Sequence, residues 1–269
     1  MSTIAFNIQH WQALSCGLDS SQSWQAWAQL KMTVKKPSQT SQAWPQDTPT
    51  PKSDLIPAMM RRRMSPLSKL ALQVAISLKQ RLDTQQQAID YLIFSCRHGE
   101  LARTTTLLQQ VLSGEDASPT AFSQSVHNTS AGLFTIATHS PIPATSLAAG
   151  ESTLHHALIE ASSYLSQHPT HRVLVIDFDE SLSQPYQHFE SQPHPGYAFG
   201  LVLTHGNQVE LSWRKNSTPN RTKSSISPPI FETQSLQILA NLALPQSQWQ
   251  IDDSRICWQW HCDSTQISD

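Results

Sequence analysis

The turn Ala148-Ala-Gly-Glu-Ser-Thr153 lies between a short apolar run and an amphipathic one, the layout of a strand, a sharp turn and a helix. A nucleophile there would sit at a helix N-terminus, where the dipole and the unpaired N–H groups stabilise a thiolate. The turn instead carries Gly150, which has no group able to attack, followed by Glu151 and Ser152. Glu151 suits a helix start as a cap or as a contact for a neighbouring subunit. Ser152 could replace the nucleophile, but the sequence places no base for it. Cys96, His98 and Glu100 bring thiol, imidazole and carboxylate to alternate positions. Thiol–imidazole pairs, however, usually meet from separate elements, so this run also reads as a structural turn in which Arg97 pairs with Glu100. His155 and His156 are neighbours on one helix and diverge by about 100°, which does not suit a shared metal. His127 and Asn128 form a polar cluster that reads either as a buried hydrogen-bond network or as part of a pocket wall. Arg61, Arg62 and Arg63 precede a helix, where positive charge opposes the dipole; solvent or an acidic partner must compensate.

These groups need elements to position them. Ile4 to Ile8 predicts an opening strand, and Trp24, Trp27 and Leu30 predict a helix over 21–30. The run 37–57, rich in Pro, Ser, Thr and Gln, predicts an extended loop. Met64, Leu67, Leu70, Ala71, Val74 and Leu78 predict a long amphipathic helix beginning at Ser65-Pro66, with serine as cap and proline in the first turn. Tyr91 to Cys96 predicts a buried strand and Leu101 to Leu112 a helix. A further element follows Ser118-Pro119 and runs through Phe122, Val126, Ala131, Leu133 and Ile136. Ile142 to Leu147 predicts a strand, Glu151 to Leu165 a helix, and Arg172 to Phe178 a strand covered on both faces. Tyr197–Thr204 and Gln208–Trp213 predict two antiparallel strands joined by His205-Gly206-Asn207. Residues 214–229 read as a polar loop with four basic residues. A helix near 231–242 and a strand near 255–260 close the chain. The alternation predicts one α/β domain with helices on both sheet faces.

With 269 residues, the chain can bury a sizeable core. Eighteen basic against twenty acidic residues give a charge of -2, which argues against a nucleic-acid or membrane surface role. Four cysteines suit a reducing compartment, and Cys257 and Cys262, five apart without a matching pair, do not make a zinc spacing. No signal peptide and no apolar run long enough to span a membrane is visible, so a cytoplasmic location is expected.

Three segments carry a family likeness: Met59-Met-Arg-Arg-Arg-Met-Ser-Pro-Leu-Ser-Lys-Leu-Ala-Leu72, Ser95-Cys-Arg-His-Gly-Glu-Leu-Ala-Arg103, and Ser118-Pro-Thr-Ala-Phe-Ser-Gln-Ser-Val-His-Asn-Thr-Ser-Ala-Gly-Leu133. They resemble the β-ketoacyl synthase-like N-terminal domain proteins found beside aryl-polyene and related fatty-acid or polyketide gene sets. The likeness covers residues 1–215; residues 216–269 read as an extension of the same domain. It implies the N-terminal half of a thiolase-like fold, a mixed five-stranded sheet between helical layers. Aligning Ala-Gly-Glu-Ser-Thr-Leu with the family's Ala-Cys-Ala-Ser-Ser-Leu puts Gly150 at the nucleophile, and no second half follows to supply the histidines of condensation. The resemblance therefore points to a non-catalytic chain-length-factor subunit. Its implied partners are a full-length β-ketoacyl-ACP synthase and an acyl carrier protein with a phosphopantetheine-bound chain, and it needs no cofactor of its own. It puts Phe122, His127, Asn128, Leu133, Phe134, Ile142, Leu147, Gly150 and Glu151 at a pocket or interface. Arg61, Arg62 and Arg63 would dock the carrier or partner. Rival readings are a stand-alone thioester enzyme using Ser152 or Cys96, and a binding protein that stabilises the synthase without setting product length.

Overall fold

The computed structural model describes residues 2–33, 44–190, 194–216, 233–253 and 255–263. Its centre is strand β4 (Arg172–Asp179), whose side chains alternate between two cores. Val173 and Val175 enter one core, Leu174, Ile176 and Phe178 the other. That alternation explains the continuous apolar run: both faces of the strand are covered, so neither needs polar residues. β4 pairs in parallel with β2 (Tyr91–Ser95), and β2 pairs in parallel with β3 (Ala144–Leu147). On its other side β4 pairs antiparallel with β5 (Tyr197–Lys215). β5 also pairs with β1 (Ser2–Ser15) and, through its second half, with β7 (Ile256–Cys262), which carries β6 (Gln248–Asp252) at the far edge. The described sheet is thus mixed and has seven strands, where five were expected. β6 was not expected because Gln248, Gln250 and Asp252 dilute its apolar signal.

The predicted hairpin at 205–207 is corrected. β5 is one 19-residue strand, and both of its halves pair with β1, not with each other. Phe6 faces Val209 and Asn7 faces Thr204, so residues 205–208 bulge out between them. The Asn7 side chain clamps the bulge: its Oδ1 accepts from Gln208 N (3.0 Å) and its amide donates to His205 O (3.4 Å). A second bulge at Gln9 shifts the register between Ile8 and His10. It corrects the phase of the pleat, so Phe6, Ile8, Trp11 and Ala13 all reach the same core.

Helices α1 (Ser21–Thr33), α7 (Thr153–Gln167) and α8 (Gln234–Ala243) cover one face, and α3 (Pro66–Thr84) and α6 (Thr129–Thr138) the other. α3 starts as its sequence predicts: Ser65 Oγ accepts from Ser68 N, with Pro66 in the first turn. It crosses β5 at Gly200, where an added Cβ would lie 2.5 Å from Leu78. A short helix α2 (Ala58–Arg61) precedes it. α4 (Leu101–Leu112) has the predicted limits, and the element after Ser118 divides into α5 (Pro119–Ser123) and α6. Residues 37–43 of the predicted first loop, 217–229 of the second, and the predicted helix start at Phe231 lie outside the described residues. No described helix is long and apolar enough to cross a membrane.

Candidate functional site

The site is built where β3 ends and α7 begins. Gly150 opens a single 3-10 turn at φ +61°, a left-handed conformation that favours glycine. An added Cβ there would meet no heavy atom within 4 Å, so the space a nucleophile would use is open. Thr153, not Glu151, closes the turn. Its Oγ1 donates to Gly150 O (2.7 Å) and accepts from Ala149 N (2.9 Å), while Glu151 is exposed and makes no cap hydrogen bond.

Ser152 is buried and fully engaged. Its Oγ donates to Asp253 Oδ2 (2.6 Å) and accepts from Trp258 Nε1 (3.1 Å). Burial pushes the Asp253 carboxyl up, but the bonds from Ser152 and from the N–H groups of Arg255 and Ile256 prevail and hold it below its ordinary range. His156, four residues on, is held by the backbone, with Nδ1 2.9 Å from Ser152 O. His155 stacks on Trp258, centroids 4.2 Å apart, and accepts from Trp260 Nε1 at its Nε2 (3.1 Å). Its complete burial lowers its pKa to about 3, so it is neutral. A neutral, buried ring that already accepts a hydrogen bond is a structural histidine here. No imidazole is bonded to Ser152 Oγ; the one base on it is the Asp253 carboxylate, whose low pKa makes it a weak proton acceptor.

The Cys96 cluster is structural as well. Gly99 N donates to Cys96 Sγ (3.1 Å), and burial pushes this thiol well above its ordinary range. His98 is exposed. Arg97 does not pair with Glu100 as expected; it forms an ion pair with Asp179 at the end of β4. Glu100 instead accepts from Ser65 Oγ (2.8 Å) and Ser68 Oγ (2.5 Å) and lies 3.7 Å from Arg103. These bonds tie the turn after β2 to the start of α3. Among the described residues the cysteines are not arranged with an imidazole and a carboxylate, and no group of three metal-ligating side chains occurs.

His127 is half-buried, and its Nε2–H donates to Cys96 O (2.9 Å), which fixes the tautomer. Its ring also packs on Gly99, where a Cβ would lie 2.9 Å from Cδ2. Asn128 is exposed at the start of α6, and Leu133 and Ile142 are half-buried on the α3 side. Leu147 O accepts from Cys96 N (3.1 Å). Phe134 is fully buried against Phe94, in the core on the α3 side. Phe122, by contrast, is exposed. Arg61 donates to Ser53 O (2.9 Å), whereas the side chains of Arg62 and Arg63 face solvent. Sequence reasoning missed Asp253 and Trp258 altogether. Their partner Ser152 is about a hundred residues away, and no local pattern marks such a pair.

A mixed sheet with helices on both faces, and a strand–turn–helix presenting residue 150, define a thiolase-like fold of the ketosynthase class. The chain matches the family described as "Beta-ketoacyl synthase, N-terminal domain" over residues 24–261, and it belongs to that family. It is similar to a chain of "Ketosynthase (ApeO) in Complex with its Chain Length Factor (ApeC) from Xenorhabdus doucetiae", at 27% identity and TM-score 0.76, covering 96% of this chain and 99% of that one. It also shares the fold of a chain of "The ishigamide ketosynthase/chain length factor", at 14% identity and TM-score 0.63, covering 97% and 98%. A β-ketoacyl synthase from Burkholderia phymatum STM815 matches at 12% identity and TM-score 0.52, covering 91% and 71%. No curated protein sequence matches the chain significantly.

Proposed function

We propose that this chain is a non-condensing subunit of the chain-length-factor type, paired with an active β-ketoacyl-ACP synthase in aryl-polyene or related fatty-acid-like synthesis. The observation that carries the reading is Gly150. The turn that would hold a nucleophile has open space and no side chain, and neither Ser152 nor Cys96 is placed to substitute. The 27% identity to a chain from a ketosynthase–chain length factor complex, nearly complete over both chains, supports the same reading.

The surface offers what a partner needs. Among the described residues β3 pairs only with β2, which leaves one edge free for strand addition. Leu108, Val111 and Leu112 face outward on α4 at helical spacing, and Phe122, Val126 and Ile136 are exposed on the neighbouring segments. Leu112 is 78% and Phe122 67% exposed, unusual for side chains that gain from burial. In this reading Phe122, Leu133, Ile142 and Leu147 lie towards the shared region and limit chain growth. Arg62 and Arg63 face an acidic carrier protein that delivers the acyl chain on a phosphopantetheine arm. Residues 1–215 form the ketosynthase-like half, and 216–269 extend the same domain by adding β7 to β5. The complex would work in the cytoplasm.

The test is co-expression with the cognate ketosynthase, followed by co-purification and product analysis. A stable complex that sets condensation or product length supports the proposal. A ketosynthase indifferent to the chain overturns it. Binding with an unaltered product distribution would reduce the role to stabilisation.

A further inference from the structure

A cavity of about 370 Å³ lies at the end of the sheet where β1 stops and β5 begins. Cys16 lines it from the turn after β1, residues 50–53 from an extended segment, Pro66, Lys69 and Leu70 from the start of α3, and Pro195 from the approach to β5. Its walls are tethered. Ser15 and Leu18 exchange two backbone hydrogen bonds, and Ser15 Oγ donates to Gly196 O (2.6 Å), beside Pro195. Gly17, at φ +70°, seats the turn against Pro45 and Thr48, where an added Cβ would come within 2.8 Å of both. Leu55 N donates to Gln73 Oε1 (3.2 Å) and Gln73 Nε2 to Asp54 Oδ1 (2.8 Å), fastening the extended segment to α3, and Arg61 donates to Ser53 O, fastening it to α2. The walls are thus fixed in two hydrogen-bonded pairs that pack on each other at Gly17, and the cavity's volume sits at the lower end of the range for small-molecule sites.

Its chemistry is one-signed. Pro51, Pro66, Pro195 and Leu70 supply apolar surface, and Lys52 and Lys69 supply two ammonium groups. No carboxylate lines the cavity, and neither lysine forms an ion pair among the described residues. Asp54, beside Lys52, feels its charge but is bonded to Gln73 and does not line the cavity; two cations from separate segments over an apolar floor complement an anion with an apolar body. We infer that this cavity binds a small organic acid, with its carboxylate between Lys52 and Lys69 and its hydrocarbon part against the prolines and Leu70. The inference is independent of the pairing proposed above and uses different residues.

Cys16 provides the readout. It is the one cysteine of the four that is not buried, so it alone should react readily with iodoacetamide in the folded protein. The experiment follows its alkylation by mass spectrometry of the full chain with sodium hexanoate or hexan-1-ol added. A ligand of this size binds at about 1 mM, so about 10 mM hexanoate should slow Cys16 alkylation roughly ten-fold. Hexan-1-ol should protect far less. Lys52→Ala/Lys69→Ala should lose the protection while keeping its melting temperature, and Leu70→Trp, which fills the floor, should lose it as well. An unchanged alkylation rate in hexanoate, or equal protection by the alcohol or in the double lysine variant, overturns the inference. Should Leu70→Trp fail to fold, the lysine pair and the alcohol decide alone.

Discussion

Ser152 and Asp253, 101 residues apart, share a 2.6 Å hydrogen bond beneath the turn that holds Gly150. The bond ties the start of α7 to the segment between β6 and β7, and Trp258 reaches the same hydroxyl from β7. Ser152→Ala removes the one group that satisfies both partners. Asp253 and the Trp258 N–H are then left short of a partner, and stability falls by about 1–3 kcal/mol. Chemical denaturation measures this, and a loss within experimental error would assign the anchoring of α7 to Trp258 stacking alone.

Gly150→Cys tests the open turn. No atom blocks a Cβ, but the left-handed backbone disfavours one, at a cost of about 1–2 kcal/mol. The variant should fold with a lower melting point and gain a thiol that alkylates much faster than buried Cys96. A protected thiol at position 150 would mean that the turn is closed in solution.

Single substitutions on the outward face should separate binding from folding. Leu112→Asp and Ile136→Asp remove exposed apolar groups, so stability should change by no more than about 0.5 kcal/mol. Capture of the ketosynthase should fall sharply. Intact capture by both variants would move the pairing surface elsewhere.

Charge reversal at Arg62 and Arg63 should weaken carrier-protein binding and flatten its salt dependence without altering the fold. Titration calorimetry at two ionic strengths measures both effects.

Glu180 gives a pH signature. Burial, aided by the nearby Glu100 charge, raises its pKa to about 7, well above an unfolded glutamate. Between these values the unfolded chain has released a proton that the folded chain keeps. Stability from this group is therefore present at low pH and is lost as pH rises through about 7. Glu180→Gln lacks this loss, so its melting temperature relative to the wild type should rise from pH 5 to pH 8. A constant difference across that range would rule out the shift.

The parts of the fold that were legible in the sequence are those whose signal is local. β4 announces itself by a continuous apolar run, α3 by its cap and 3.6-residue period, and α4 by both ends. β5 misled because His205-Gly206-Asn207 has the composition of a turn. What decides between hairpin and bulge is Asn7, almost two hundred residues earlier, which is placed to clamp residues 205–208. That the turn at residue 150 carries no side chain was readable from one residue type, Gly150. The network under it was not, because Ser152, Asp253 and Trp258 meet only through the tertiary fold. The burial of Phe134 was not legible for a related reason: a phenylalanine in an amphipathic stretch does not declare which face it takes, and here it packs on Phe94.

The pairing of β1 with β5 also sets a schedule for biosynthesis. β1 is made before every other described strand, and among the described residues its strand partner is β5, which ends at Lys215. At about 5–20 residues per second, β1 waits about 10–40 s with its apolar side chains and backbone edge uncovered. Slow-folding strands held open in this way invite chaperones and aggregation.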